Sequence, residues 1–318
     1  MSDVRPPARS LPAMAALILI LGVGTVLLFW GGPDYHAARS TKALWNHGHI
    51  LYFALATYLL LGWRPLAALS PRWRWVLMLG FTSLVGVQIE IMQYDTQRTP
   101  DLGDVVRDIT GAVLMLSFGP GHAQIRARSL RYGMQMLALL MLAIQIWPVA
   151  TALTDEAIAR RQFPLLSGFE TPFETSRWEG NAGFDVTADP SSAEGKVVQL
   201  SLGMRTFSGV HLKYFDGDWR GYRSLSLRLY NPDAQPLQVL CRIHDLAHEA
   251  GNQDYDDRFN RRFLLRQGWN DLEIELAEIA AAPKTRRLDL AQIVNLGLFS
   301  IGLKIPRTLY LDEVRLNR

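Results

Sequence analysis

Cysteine is all but missing from this chain. Cys241 alone among 318 residues excludes an internal disulfide framework and a cysteine-built zinc site. Long basic blocks are missing too. The 33 Lys and Arg against 30 Asp and Glu leave a formal net charge of +3, too little to draw in nucleic acid. There is no G-x-S-x-G, no H-E-x-x-H, no P-loop and no EF-hand spacing, so the common signatures of hydrolases, zinc proteases, nucleotide users and calcium sensors are gone. The motifs give little support to an enzyme.

What is present divides into two unlike halves. The hydrophobic fraction of 49% is an average: the long apolar runs lie before Leu153, and most acidic residues follow Thr154. Residues 13–30, AMAALILILGVGTVLLFW, carry no charge and as a helix reach about 27 Å, close to the roughly 30 Å hydrocarbon core. The run is long for a signal-peptide core, and no small-x-small cleavage site follows Trp30, so a retained helix is expected. Further apolar segments follow at 50–63, 76–92, 105–118 and 132–153. Trp30, Trp45, Trp63, Trp73, Trp75 and Trp147 fall at segment ends, as an interfacial aromatic belt would place them. The expectation is an α-helical membrane domain of about five transmembrane helices over 1–153, a linker over 154–166, and a second domain over 167–318.

Loop charge sets the expected orientation. Arg5, Arg9, Arg64, Arg72, Arg74, Arg126, Arg128 and Arg131 fall on one side, and only Arg39, Lys42 and Arg98 on the other. This predicts an N-terminus in the cytoplasm and an extracytoplasmic C-terminal domain, in a bacterial cytoplasmic membrane with lipid as its surroundings. Segment 105–118 is short for a crossing; if re-entrant, it would leave the C-terminal half cytoplasmic.

In that topology the unusual polar residues gather at the outer face. Lys42, His47 and His49 precede the second segment. Glu90 and Gln93 are three apart and share a helical face, as do Asp104, Asp108 and Gly111, with Arg98 in the loop connecting the two helices. A carboxylate in a membrane is costly, about 2.5–3.5 kcal/mol at the centre. Glu90, Asp104, Asp108 and His49 are candidate acid or base groups, and Lys42 and Arg98 are candidate phosphate or anion holders. Ion pairing that ties the helices together is the alternative.

The spacing E-x2-Q-x4-R-x5-D-x3-[DN]-x2-G, from Glu90 through Gln93, Arg98, Asp104 and Asp108 to Gly111, resembles the core of the VanZ-like family of bacterial membrane proteins. Lys42 with His47 or His49 is similar to that family's preceding Lys and His, although the spacing is looser, and Asp108 stands where Asn is common. The resemblance covers residues 42–118 and implies a cell-envelope protein.

The second half reads as short strands separated by turns, at 197–202, 210–215, 224–230, 239–243, 272–276, 294–299 and 308–316, with helical turns at 277–282 and 288–292. Asp216-Gly-Asp218, Asn231-Pro-Asp233 and Gln267-Gly-Trp-Asn270 supply turn chemistry. The expected fold is an all-β jelly-roll sandwich. Gly168-Phe-Glu170, Tyr230-Asn-Pro232, Arg242-Ile-His-Asp245, Asp257-Arg-Phe-Asn260, Gly268-Trp-Asn270 and Tyr310-Leu-Asp-Glu-Val314 resemble the galactose-binding-like carbohydrate-binding modules. Modules of that kind often hold a structural calcium between the first and last strands, for which Glu170 and Asp312 are the candidates here; the alternative is that both are ordinary turn residues.

Trp219 and Tyr222 are candidates to stack on a sugar face, with His244, Asp245, Asp257, Arg258 and Asn260 as hydrogen-bonding partners for its hydroxyls. Trp269 and Phe259 are expected in the core, and Asp257 with Arg258 is an alternative internal ion pair. The functional expectation is an envelope protein whose module binds cell-wall or exported polysaccharide or a lipid-linked glycan. The alternatives are a membrane enzyme or transporter component handling a lipid-linked phosphate or sugar, and a protein-binding scaffold.

Overall fold

A computed structural model describes residues 11–94, 101–120, 122–191 and 195–318. The chain forms two compact units, residues 1–152 and 153–318.

The first unit is helical. Its described elements are α1 (Leu11–Phe29), α2 (Arg39–Asn46), α3 (Gly48–Leu61), α4 (Arg64–Ala67), α5 (Pro71–Tyr94), α6 (Leu102–Phe118) and the start of α7 (Arg128–Gln162). Among the described residues two helices are long and apolar enough to cross a membrane, over Pro71–Gln93 and Arg128–Gln162, and Met14–Phe29 is a shorter apolar one. Helix α7 continues through Thr154 to Gln162, so most of the stretch expected as a linker is helical.

Helices α3 and α6 approach closely, and the reason is Gly111. A Cβ there would stand 2.3 Å from the Ile50 carbonyl oxygen and 2.9 Å from the Ala54 nitrogen. Small residues at helix contacts let backbones meet in this way. Asp101 caps α6, its side chain accepting the Gly103 N–H at 2.8 Å, which satisfies one of the free donors of the first turn.

The second unit is a two-sheet sandwich. Its strands are β1 (Leu165–Ser167), β2 (Trp178–Gly180), β3 (Gly183–Ala188), β4 (Lys196–Leu202), β5 (Phe207–Leu212), β6 (Ser224–Asn231), β7 (Leu237–Asp245), β8 (Phe259–Leu265), β9 (Gly268–Glu275), β10 (Ile293–Ile301) and β11 (Arg307–Asn317). Short helices α8 (Leu246–Ala250) and α9 (Leu276–Ala281) lie between them. One sheet runs β3-β4-β11-β6-β9 with β1 on β11, the other β2-β5-β10-β7-β8, and every pairing is antiparallel. Residues 288–292, expected as a helical turn, are not helical.

Strand period explains the core. Alternate residues of each central strand point inward: Leu225, Leu227 and Leu229 of β6 meet Val239, Cys241 and Ile243 of β7 and Leu296 and Leu298 of β10 in one buried cluster. Each fully buried aliphatic side chain contributes about 1.5–3 kcal/mol. Cys241 is part of this packing, and burial pushes its thiol up to about 12, so it is chemically inert.

Candidate functional site

Two groups of side chains stand out, one in each unit. In the helical unit α3 and α6 bring His49 between two carboxylates. Its Nδ1 lies 2.8 Å from Asp108 Oδ1 and its Nε2 3.7 Å from Asp104 Oδ2. Arg107 completes the cluster, pairing with Asp104 and with Asp101 at 3.3 Å. Glu90, buried, accepts the Asp101 N–H through Oε2 at 2.7 Å, while its Oε1 has no partner. Gln93 points to another helix and donates to the Leu28 carbonyl at 2.8 Å.

The spacing read from the sequence thus brings His49, Glu90, Asp104 and Asp108 around one helix contact, and Gly111 makes that contact possible by its size. His47 is separate; its Nδ1 lies 2.7 Å from the Ala43 carbonyl. Lys42 reaches the Tyr35 carbonyl. Arg98 lies outside the described residues. Arg107, adjacent to Asp108 in sequence, is the cation that meets these carboxylates, and the i, i+3 step from Asp104 is the signal that points to it. A cavity of about 970 Å³ opens beside the cluster, lined by Leu21, Leu27, Leu51 and Leu55 together with Lys42, His49, Gln93 and Asp104.

In the sandwich, the expected sugar platform is not a surface. Trp219 is fully buried, its indole N–H donating to the Asp216 carbonyl at 3.1 Å. The Asp216-Gly-Asp218 turn folds the ring inward, where it has no face to offer a ligand. Tyr222 is half-buried and packs edge-on against Phe163. Asp245 and Asp257 are consumed by Arg286, which meets Asp245 at 2.6 and 2.8 Å and Asp257 at 2.6 and 2.9 Å. Burial works against the charge of Asp245, but Arg286 and the N–H groups of Asp289 and His248 outweigh it and hold the carboxyl below its usual range. Arg286 does the same for Asp257. The alternative Asp257–Arg258 ion pair is therefore replaced by Asp257–Arg286. Phe259 is in the core, as expected, but Trp269 is half-buried on the outer face of its sheet, stacked on Arg228 at 4.5 Å.

Glu170 accepts the Lys196 N–H at 3.1 Å, and Asp312 accepts the Glu313 N–H at 2.8 Å. Burial, with smaller pushes from Glu313 and Glu170, raises the Asp312 carboxyl to about 6. No group of three or more His, Cys, Asp or Glu side chains is placed to hold a metal ion among the described residues.

The other sheet carries a trough that the sequence reading missed. Residues of β5, β7 and β10 opposite to the core positions line a recess of about 460 Å³, formed by Gly180, Asn181, Phe207, Gly209, Val210, His211, Arg242, Arg258, Gly297 and Phe299. Register assembles it: Gly297 pairs with His211 on one side and Arg242 on the other. Gly297 lies against the Arg242 side chain, so a Cβ there would touch its guanidinium at 3.6 Å, an ordinary van der Waals distance. Phe207 and Phe299 stand edge to face, centroids 5.9 Å apart.

Three of the sequence-predicted residues belong to this face or its rim. Arg258 lines the recess, His244 follows Arg242 two positions on along β7, and Asn260 is the register partner of Arg242. Arg242 Nε, His244 Nδ1, Arg258 Nε and Asn260 Oδ1 are all buried polar atoms without a hydrogen-bond partner. Burial pushes the His244 imidazole down to about 3, helped by the charges of Arg242, His248 and Arg258. Burial likewise lowers His211, against the pull of Glu179.

No family model matches the chain, and no curated protein matches it. Solved structures are similar over about half of it. One is an exo-β-agarase, 13% identical with a TM-score of 0.38, covering 48% of this chain and 25% of that one. Another is the family 11 carbohydrate-binding module from Clostridium thermocellum in complex with a β-1,3-1,4-mixed-linked tetrasaccharide, 17% identical, TM-score 0.35, covering 48% and 94%. A third is a non-crystalline-cellulose-specific module of family 28, 8% identical, TM-score 0.34, covering 49% and 94%. The chain spans about a quarter of the agarase's length. At these identities the likeness is one of fold alone.

Proposed function

We propose that this protein is a membrane-anchored glycan-binding protein, with a helical unit of VanZ-like type and a β-sandwich that holds polysaccharide in the trough on its β2-β5-β10-β7-β8 sheet. The observation that carries the reading is the trough itself: two phenylalanine rings beside buried polar atoms that have no hydrogen-bond partner among the described residues. Sugar rings present apolar C–H faces to aromatics and directional hydroxyls to such atoms. Buried polar atoms left unpaired are costly, and a ligand that pairs them recovers that cost.

In this reading the helical unit crosses the bacterial cytoplasmic membrane five times through α1, α3, α5, α6 and α7, with the N-terminus inside and the sandwich outside. The loop-charge asymmetry and the two long apolar helices support it. Anchoring raises the local concentration of the module at the envelope, so weak sugar affinity suffices.

Purified full-length protein on a glycan array tests the reading: retention is expected, and Phe299→Ala should reduce it. An alkaline phosphatase fused after Arg318 should be active. A silent array would overturn glycan binding, and an active cytosolic reporter in that position would overturn the topology.

A second reading has an observation of its own. The His49–Asp108–Asp104 cluster faces a cavity with apolar and cationic walls, an arrangement suited to a lipid-linked phosphate or sugar, with His49 as the proton-transfer group. Turnover of such a lipid lost in His49→Gln, with the fold retained, would favour it.

A further inference from the structure

We infer that the trough selects an acidic glycan, whose carboxylate or sulfate is held between Arg242 and Arg258; the inference rests on the glycan-binding reading above and narrows its substrate class.

The argument is one of charge left without a counterpart. Buried arginines elsewhere in this unit are neutralised. Arg177 pairs with Asp155 at 2.7 Å, Arg307 with Asp233 at 2.7 Å, and Arg286 with both Asp245 and Asp257. Arg242 and Arg258, half-buried in the recess, differ: among the described residues neither has a carboxylate within 4.0 Å, and the Nε atom of each is buried without a hydrogen-bond partner. Arg242 donates to the neutral Asn295 side chain at 3.4 Å and lies 5.8 Å from the Phe299 ring centre, while Arg258 lies 5.6 Å from that of Tyr255; these partners are uncharged.

Burial lowers the guanidinium of Arg242, and the charge of Arg258 lowers it further. Burial also lowers Arg258. Of the nearby acids, Glu179 accepts from Lys213 at 2.8 Å, and Glu249, 3.6 Å from the neutral His244 Nε2, acts on Arg242 only as the smallest of the influences on its charge.

A neutral sugar would satisfy hydroxyl-sized needs here and leave two half-buried cations without a carboxylate partner. A carboxylate or sulfate would take up bidentate guanidinium hydrogen bonds, which are stronger than neutral ones and geometrically selective. A site built for a charged group discriminates strongly against the analogue that lacks it.

The test uses purified full-length protein and matched probes: oligogalacturonate, its carboxyl-reduced neutral counterpart, and a sulfated oligosaccharide. We expect at least one acidic probe to bind about tenfold or more tightly than the neutral one, and to weaken as salt rises. Arg242→Gln and Arg258→Gln should each lower that affinity about tenfold with melting temperature unchanged. If Arg242→Gln does not fold, Arg258→Gln and the salt titration of the parent protein decide alone. Equal, salt-insensitive binding of neutral and acidic probes would overturn the selection of anions and leave glycan binding intact. Failure to retain any glycan, neutral or acidic, would overturn both.

Discussion

Arg177 and Asp155 form a buried fork: Nε of the arginine lies 3.1 and 3.0 Å from the two carboxylate oxygens and Nη2 lies 2.7 Å from one of them, with the residues 1% and 3% exposed. The remaining Nη1 donates to the Leu166 carbonyl at 2.8 Å. One pair thus fixes the last turns of α7 to β1 and to the start of β2. Removing one partner strands a buried charge, at a cost of about 3–5 kcal/mol. Asp155→Asn and Arg177→Leu should each lower the unfolding free energy of the sandwich by that amount, measured by urea titration followed by tryptophan fluorescence. The double variant Asp155→Asn/Arg177→Leu should cost less than the sum of the two single changes. Additive losses would show that the fork is not a coupled unit.

Glu174 governs a different corner. It is fully buried, and Oε2 accepts the N–H of Gly168 at 2.7 Å and of Phe169 at 2.9 Å, while Oε1 accepts from Thr171 at 3.2 Å. Phe169 holds a positive φ of 59°, a conformation that an L residue keeps only when its surroundings fix it. Burial opposes the charge, but these N–H donors and nearby Arg177 outweigh it and keep the carboxyl below its usual range.

A folded carboxyl lowered in this way contributes stability that is complete above the unfolded value near 4.5 and is lost as pH falls through the folded value. Glu174→Gln turns one acceptor into a donor facing donors, and should cost about 2–4 kcal/mol at pH 7. The gap between variant and parent should close as the pH drops below the ordinary carboxylate range. Thermal melts at pH 7, 5 and 3 measure it, and a gap that stays constant would refute the charge argument.

The central strands were legible because burial on one face writes an alternating pattern, as in Ser224 to Asn231. Strands β2, β3 and β8 escaped notice for the complementary reason. They are edge strands, half-covered, and their sequences mix polar residues into both faces; Phe259–Leu265 carries Arg261 and Arg262. Trp219 was misplaced because residue type suggests a platform, whereas the turn at Asp216 decides its direction. The trough was invisible because His211, Arg242 and Gly297 are neighbours only through strand register. The helical cluster was more readable, since its carboxylates repeat at helical spacing within α6 and only His49 comes from afar.

Gly111 provides the sharpest steric prediction for that cluster. A methyl group there would overlap the Ile50 carbonyl oxygen, 2.3 Å away on rigid helix backbone, so α3 and α6 would have to separate. Separation would also lengthen the 2.8 Å contact between His49 and Asp108, which bridges the same two helices. Gly111→Ala should cost about 1–3 kcal/mol through overpacking. Gly80→Ala is the matched control, because nothing lies within 4 Å of a Cβ at that position and alanine is the better helix former. Thermal unfolding of the detergent-solubilised full-length protein compares the two. Gly111→Ala should melt well below the parent and Gly80→Ala at or above it. Equal tolerance of both would mean that α3 and α6 do not meet through backbone at Gly111, and that the carboxylates of α6 are held to His49 by side-chain pairing alone.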